Sequence, residues 1–161
     1  MLILQEGKNP QMARLLTISD IQDYEPDILN YGVPDFDAEI TKAQQDVFRL
    51  LRIRWWPTQM IGLYDVTHLA GADQEPVESL YTPSQLTRAA VYHCLGHHIY
   101  PKLAKFEPDQ DIFERKMIHY RQEFEGEFDL VLRDGVEYDR DSSGTVSDSE
   151  KTPTHHLRLK R

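Results

Sequence analysis

Residues 139–150 have the residue types and the spacing of a calcium-binding loop. In such a loop the first, third, fifth, seventh, ninth and twelfth residues supply oxygen ligands, and a glycine at the sixth place allows a sharp turn. Gly144 stands at the sixth place, and Val146 is the apolar residue at the eighth. The ligand places hold Asp139, Asp141, Ser143, Thr145, Ser147 and Glu150. Calcium prefers about six to eight hard oxygen ligands, so the pattern predicts a site for calcium or another hard cation.

Features around this loop keep a metal-free alternative open. Ser143 is a weaker ligand than the Asp or Asn that usually stands at the fifth place. Gly135 ends the preceding helix before the loop begins, and Thr152-Pro153 prevents a helix from following it. The loop also lacks the second loop with which such sites usually pair. The alternative is a polar turn that its own Asp and Ser side chains stabilise without a metal.

The sequence His-Cys-Leu-Gly-His-His, which starts at His93, offers a second set of candidate ligands. His93 and His97 are four residues apart, which is the spacing of two zinc ligands on one face of a helix. Cys94 and His98 form a second pair with the same spacing, and His119 is a candidate third ligand. The glutamate that follows the first histidine in helical zinc proteases is missing. The alternative is a half-buried helix face whose histidines lie at an interface.

The sequence does not predict catalysis by any other route. Cys94 is the only cysteine, and it falls in the middle of a helix with nothing to suggest an oxyanion hole, so it is not expected to be a nucleophile. A glycine-rich phosphate loop, a pair of catalytic carboxylates and a Ser-His-Asp order do not stand out. A structural or interaction protein is therefore favoured over an enzyme.

Amphipathic helices are predicted to position these residues. A short helix is expected at about 18–23, where Thr17 and Asp20 form a helix start. The first long helix is predicted to begin near Asp35 or Asp37, because apolar residues then recur at spacings of three and four as far as Trp55-Trp56-Pro57.

Two further long helices follow. The second is predicted to begin at Thr82, where a proline follows the capping threonine and Gln85 stands three residues on, and Pro101 should kink or tighten its end. The third is predicted to begin near Asp109 or Asp111 and to end at Gly135. No strand alternation requires a sheet. The predicted fold class is all-α: a small bundle of three long helices plus a short N-terminal helix, with an extended C-terminal tail.

The chain divides into three parts by composition. We expect an irregular N-terminal segment at 1–16, a helical bundle domain at 17–135 and an extended C-terminal tail at 136–161 that contains the calcium-like loop. The stretch 57–80 is long for a connection in a compact domain, which favours contact with a partner. No stretch approaches eighteen apolar residues, so no membrane span is expected.

The net charge of −9 is unevenly distributed. The whole chain has 27 acidic and 18 basic residues, but residues 151–161 carry four basic residues and no acidic one. The remaining body therefore has 27 acidic against 14 basic residues, a net charge of −13. An acidic body argues against a protein whose main task is to grip nucleic acid, since phosphate binding needs a basic surface.

The order of these elements resembles the head–tail connector, or adaptor, proteins of tailed bacteriophages. The resemblance covers about residues 15–150 and rests on element order and pattern. It runs from the helix start at Thr17 through FDAEITKAQQDVFRLLR, LTRAAVYHCLGHHIYPKLA and ERKMIHYRQEFEGEFDLVL to the Asp-rich YDRDSSGTVSDSE.

This resemblance implies a structural virion protein without catalysis, made in the host cytoplasm and located in the neck between head and tail. Many copies, usually twelve, would form a ring that joins the portal protein to a downstream neck or tail protein, and DNA would pass through without specific binding. Family members bind the portal through the C-terminal tail, which here holds His155, His156, Leu157, Arg158, Leu159, Lys160 and Arg161. Expected ring or tail-side contacts are Trp55, Trp56, Met60, Ile61, Leu63 and Tyr64.

Two other hypotheses stay open. A single-loop calcium-binding regulatory or interaction protein would remain monomeric, and calcium would change the stability of its whole fold. A helical metalloenzyme built on His93 and His97 would contain stoichiometric zinc. The connector hypothesis requires no cofactor, and calcium is the one that the loop at 139–150 would bind.

Overall fold

A computed structural model describes residues 14–59, 76–105, 108–109 and 111–151. The α-helices in these ranges are α1 (Ile18–Tyr24), α2 (Asp37–Arg54), α3 (Pro83–Cys94), α4 (Tyr100–Leu103) and α5 (Ile112–Asp134). Short 3-10 turns lie at Ile28–Tyr31, Trp56–Gln59 and Glu78–Leu80. The described residues contain no strand beyond one isolated antiparallel bridge between Tyr81 and Tyr138. The all-α class predicted from the sequence is therefore confirmed.

The helix starts lie where the capping residues predict them. Thr17 and Asp20 form a complete capping box at the start of α1, in which each side chain bonds the backbone N–H of the other residue. Asp111 caps α5 by accepting a hydrogen bond from the Glu114 N–H at 2.7 Å. At the other end of α5, Gly135 has a φ of +99°, a value that a residue with a Cβ adopts only with strain.

The second long helix departs from its prediction, because it is interrupted before Pro101. A π-helical turn at Leu95–Ile99 separates α3 from α4, and in it the Tyr100 N–H bonds the Leu95 carbonyl five residues back. In a regular α-helix the ring of Pro101 would clash with the His97 carbonyl, so the wider turn accommodates the proline. The turn also lets Gly96 approach α5, where a Cβ would lie 2.9 Å from the Arg121 backbone nitrogen.

The apolar core lies between α2, α3 and α5, and α3 packs against both of the other helices. The predicted apolar stripes face this core, and each large side chain that it buries contributes roughly 1.5–3 kcal/mol to folding. Fully buried large side chains include Leu15, Ile21, Phe36, Leu51, Trp55, Leu86, Tyr100, Phe124 and Phe128.

Residues 136–151, assigned by the sequence to an extended tail, pack against the helices. Val136 and Tyr138 are buried. The Thr82 N–H donates to the Glu137 carbonyl at 3.1 Å, and the Asp139 N–H donates to the Leu80 carbonyl at 3.0 Å. We call residues 136–151 the C-terminal strap. The rest of the predicted tail, 152–161, lies outside the described residues.

The side chain of Gln85 helps to hold the C-terminal strap in place. Its Nε2 donates to the Gly135 carbonyl at 2.8 Å, and its Oε1 accepts the Glu137 N–H at 2.8 Å. The capping motif at Thr82 predicts that Gln85 bonds its own helix start, but no side-chain cap forms there. Long-range bonds to the strap have replaced the local one.

Candidate functional site

The calcium-like loop begins beside a group of packed aromatic rings where α2 ends. Tyr138 lies 4.9 Å from Tyr81 and 5.5 Å from both Trp55 and Trp56, measured between ring centroids. We call these four residues the aromatic cluster. The Tyr138 hydroxyl also accepts the Val77 N–H at 3.0 Å. The first ligand position, Asp139, therefore follows directly on a residue that is fixed by packing.

The backbone of the loop has the sharp turn that the sequence predicts. Gly144 has a φ of +86°, in the left-handed region where glycine is favoured, and Ser142 has a φ of +56°. The Asp139 carboxylate accepts the N–H groups of Ser143 at 3.0 Å and Gly144 at 2.8 Å. The turn thus wraps around the side chain at the first ligand position, which keeps Asp139 pointing into the loop.

Glu150, at the twelfth position, closes the loop from the other end. Its Oε1 accepts the N–H of Arg140 at 2.8 Å and of Asp141 at 3.2 Å, and its Oε2 accepts the N–H of Ser147 at 2.9 Å. The bonds from Ser147 are the leading cause that lowers the pKa of Glu150. The pKa of Asp141 is also lowered, chiefly by its hydrogen bond with the Ser143 side chain. Both side chains therefore carry their negative charge near neutral pH.

The structure brings the three predicted carboxylate ligands together. One oxygen each of Asp139, Asp141 and Glu150 lies within 4.8 Å of the others. The Ser143 hydroxyl donates to the Thr145 carbonyl at 3.0 Å, so the fifth and seventh positions are adjacent. Three negative charges this close repel one another, and a divalent cation would relieve that repulsion. The residues fit calcium, although the Ser147 hydroxyl donates to Glu150 and is not free at the ninth position.

The histidine segment is arranged differently from its prediction. His97 does not converge with His93 on a common ligand position; its ring stacks on that of His93, with centroids 4.2 Å apart. Instead, Asp46 of α2 lies between His93 and His98, with its Oδ2 3.0 Å and 2.7 Å from their Nε2 atoms. The His-Asp-His group found among the described residues is therefore not the predicted pairing of His93 with His97. The π-helical turn changed the register, and no local sequence signal marks Asp46 as the partner.

The other candidates around this segment have separate surroundings. Cys94 is fully buried, and burial raises the pKa of its thiol, which disfavours the reactive thiolate. It does not belong to the group in which His98 meets Asp46 and His93. His119 is exposed on α5 beside Tyr120 and does not belong to the histidine group.

Most of the residues predicted to contact partners lie outside the described residues. These are Met60, Ile61, Leu63, Tyr64 and the tail residues 155–161. Trp55 is fully buried in the aromatic cluster, so it presents no surface to a neighbour in this conformation. Trp56 is half-buried beside it.

Comparisons with protein-family models, curated proteins and solved structures gave no significant match to this chain. Among the described residues, no helix combines the length and the apolar character that crossing a membrane requires.

Proposed function

We propose that this chain is a structural protein of a bacteriophage neck, without catalytic activity. In this proposal, copies of the helical body form a ring, usually of twelve subunits, that joins the portal to a downstream neck or tail protein. DNA passes through the ring, and the acidic body favours sliding over binding because like charges repel. The proposal starts from the order of elements in the sequence.

The observation that carries it is the position of the C-terminal strap. The strap bonds residues on both sides of the segment 60–75, since the Arg140 side chain contacts Gln59 and the Tyr138 hydroxyl accepts the Val77 N–H. At its other end, Lys151 forms an ion pair with Glu137 at 3.2 Å, immediately before the basic tail 152–161. The C-terminal strap thus anchors both flanks of the segment 60–75 and the start of the tail 152–161, the two segments that are expected to contact partners.

Calcium would have a structural role in such a subunit. An ion at the loop 139–150 would hold the strap closed through its first and twelfth positions, Asp139 and Glu150. It would thereby fix the point from which the tail 152–161 leaves the body. A basic tail of this composition has no apolar face of its own, so it gains order by binding a groove or an acidic surface on a neighbour.

The test is genetic, in the phage or prophage whose genome encodes the chain. Deleting the gene should give heads and tails that do not join, as seen by negative-stain electron microscopy. The full chain supplied from a plasmid should restore joined particles, and mass spectrometry should find it in them. Normal particles from the deletion strain, with the chain absent from wild-type virions, would overturn the proposal.

A matched pair of variants tests the tail. A chain ending at residue 151 should keep the helical circular dichroism of the full chain yet fail to restore joined particles. A full-length chain with Asp148→Asn, an exposed change that alters the charge of the same end of the molecule, should restore joined particles fully. Restoration by the shortened chain would show that the tail does not dock on the portal.

The second candidate function is that of a single-loop calcium-binding interaction protein. The convergence of the three carboxylates at the loop favours it. It predicts a chain that stays monomeric with and without calcium, and a virion without the chain. Negative-stain images and molecular mass in solution separate the two functions, because only the connector forms rings.

A further inference from the structure

A cluster of two histidines and one aspartate lies apart from the calcium-like loop, where α2 passes the end of α3. The Oδ2 atom of Asp46 is 3.0 Å from Nε2 of His93 and 2.7 Å from Nε2 of His98. All three atoms lie within 4.8 Å of one another. We propose that Asp46, His93 and His98 form a binding site for a divalent metal ion of the zinc type.

The π-helical turn creates this site. His93 and His98 are five residues apart, and in a regular α-helix side chains at that spacing point to different sides. The wider turn at Leu95–Ile99 brings both rings to Asp46. Turns of this kind are frequent at functional sites. The turn is itself fixed, because Arg121 of α5 donates from Nε to the Gly96 carbonyl at 2.9 Å.

Packing holds the His93 ring in the orientation that the site needs. The ring stacks on His97 and meets the edge of Phe124, with centroids 4.2 Å and 4.7 Å away. Its Nδ1 atom is buried and has no hydrogen-bond partner, so the ring is positioned by these contacts and by Asp46 alone.

The donor set matches zinc-type ions better than calcium. Two imidazole nitrogens and one carboxylate oxygen suit zinc and its first-row neighbours, and open zinc sites use this combination. Ligands of a tetrahedral zinc ion lie roughly 3.4 Å apart, so small side-chain rotations would open the present separations to that value. Asp46 retains 34% of its side-chain exposure, which leaves room for water as a further ligand.

The alternative to a metal site is a pair of hydrogen bonds in which both histidines donate to Asp46. The two arrangements use the same side-chain atoms, but only the metal site contains a bound ion. A titration of the tag-free full chain with cobalt, followed by its visible absorption, distinguishes them. Cobalt in a tetrahedral site with nitrogen ligands gives an intense visible band, and zinc should displace it with a stoichiometry of one ion per chain.

His98→Ala and Asp46→Asn each remove one ligand. Because even the loss of a partner that only orients a ligand weakens metal sites by about ten- to a hundredfold, each change should weaken zinc binding by at least about tenfold. Zinc should also raise the melting temperature of the unmodified chain but not of these variants, and this readout does not depend on colour. Circular dichroism checks that both variants keep their helices.

Control variants remove candidate ligands that lie outside the proposed site. His119→Ala and the double variant His155→Ala/His156→Ala should bind zinc as the unmodified chain does, and so should Asp141→Asn in the calcium-like loop. Titrations in excess calcium fill the calcium-like loop, so that it does not compete for zinc or cobalt. No cobalt band, or a band and an affinity that survive His98→Ala, would overturn the metal site. Neither result would bear on the connector proposal, which the genetic test decides separately.

Discussion

The carboxylate of Glu25 accepts a hydrogen bond from the Tyr120 hydroxyl at 2.7 Å, which ties the end of α1 to the middle of α5. Lys116, one turn earlier on α5, forms an ion pair with the same carboxylate at 2.6 Å. This half-buried acidic side chain therefore joins α1 to two residues of α5.

Replacing Glu25 with glutamine should lower the free energy of unfolding by about 1–3 kcal/mol, because Lys116 and Tyr120 lose a charged partner. Burial raises the pKa of Glu25, but the bonds from Lys116 and Tyr120 outweigh it and the pKa is lowered overall. The stabilisation is therefore complete above the ordinary pKa of 4.5 and is lost as the pH falls below it.

Urea unfolding at several pH values measures this effect. The difference between Glu25→Gln and the unmodified chain should be largest at pH 7 and should shrink below about pH 4.5. Glu123→Gln, an exposed change on the same helix, should have an effect within about 0.5 kcal/mol. A difference that stays constant down to pH 3 would contradict the role assigned to the charge.

Two glycines in helical segments should respond in opposite directions to alanine. At Gly96 a Cβ would lie 2.9 Å from the Arg121 backbone nitrogen, so Gly96→Ala should destabilise the chain by about 1–3 kcal/mol. At Gly126, exposed in α5, a Cβ meets nothing within 4 Å, so Gly126→Ala should stabilise it by about 0.5–1 kcal/mol. Thermal and urea unfolding measure both. Equal effects at the two positions would contradict the close packing at Gly96.

Calcium binding should depend on the three converging carboxylates of the loop. Asp141→Asn should weaken calcium binding by at least about tenfold, and the unpaired loop of the unmodified chain should bind with a dissociation constant on the order of 0.1–1 mM. Asp148→Asn removes an exposed carboxylate that is outside the ligand group, so the calcium affinity of this variant should equal that of the unmodified chain. Isothermal titration calorimetry measures the calcium affinity of the unmodified chain and of both variants. Absence of heat from the unmodified chain at millimolar calcium would favour the metal-free turn.

The hydroxyl of Tyr138 should contribute to stability through a single bond. Tyr138→Phe keeps the packing of the aromatic cluster but leaves the Val77 N–H without its partner, which should cost about 1–2 kcal/mol. Tyr31→Phe, at an exposed ring, should change the free energy of unfolding by less than about 0.5 kcal/mol. Urea unfolding followed by tryptophan fluorescence measures both. A neutral Tyr138→Phe would show that water replaces the hydroxyl.

The sequence predicts most of the helical elements because their signals are local. The cap at Thr17, the cap at Asp111 and the stop at Gly135 lie within a few residues of the helix ends that they determine. The calcium-like loop is predictable for the same reason, since all of its ligand positions lie in one short stretch. Gly144 adopts the positive φ that the pattern requires of it.

The remaining features depend on contacts between distant residues. Asp46 meets His93 across 47 positions of sequence, and nothing local distinguishes it from the other acidic residues of α2. The packing of the C-terminal strap depends on the rings of Trp55 and Tyr81, which its own composition does not reveal. Pro101 signals a disturbed helix, but the π-helical turn lies before it at Leu95–Ile99, where Gly96 closely approaches α5.

The aromatic cluster has a consequence for the order in which the protein forms. Trp55 and Trp56 are synthesised well before Tyr138, which packs against both, and the bond that Tyr138 receives from Val77 closes a loop of 61 residues. Until Tyr138 has been synthesised, the two indole rings lack this contact, and the end of α2 exposes apolar surface to other molecules. Chains that terminate before Tyr138 are therefore expected to leave this surface uncovered and to aggregate more readily than the full chain.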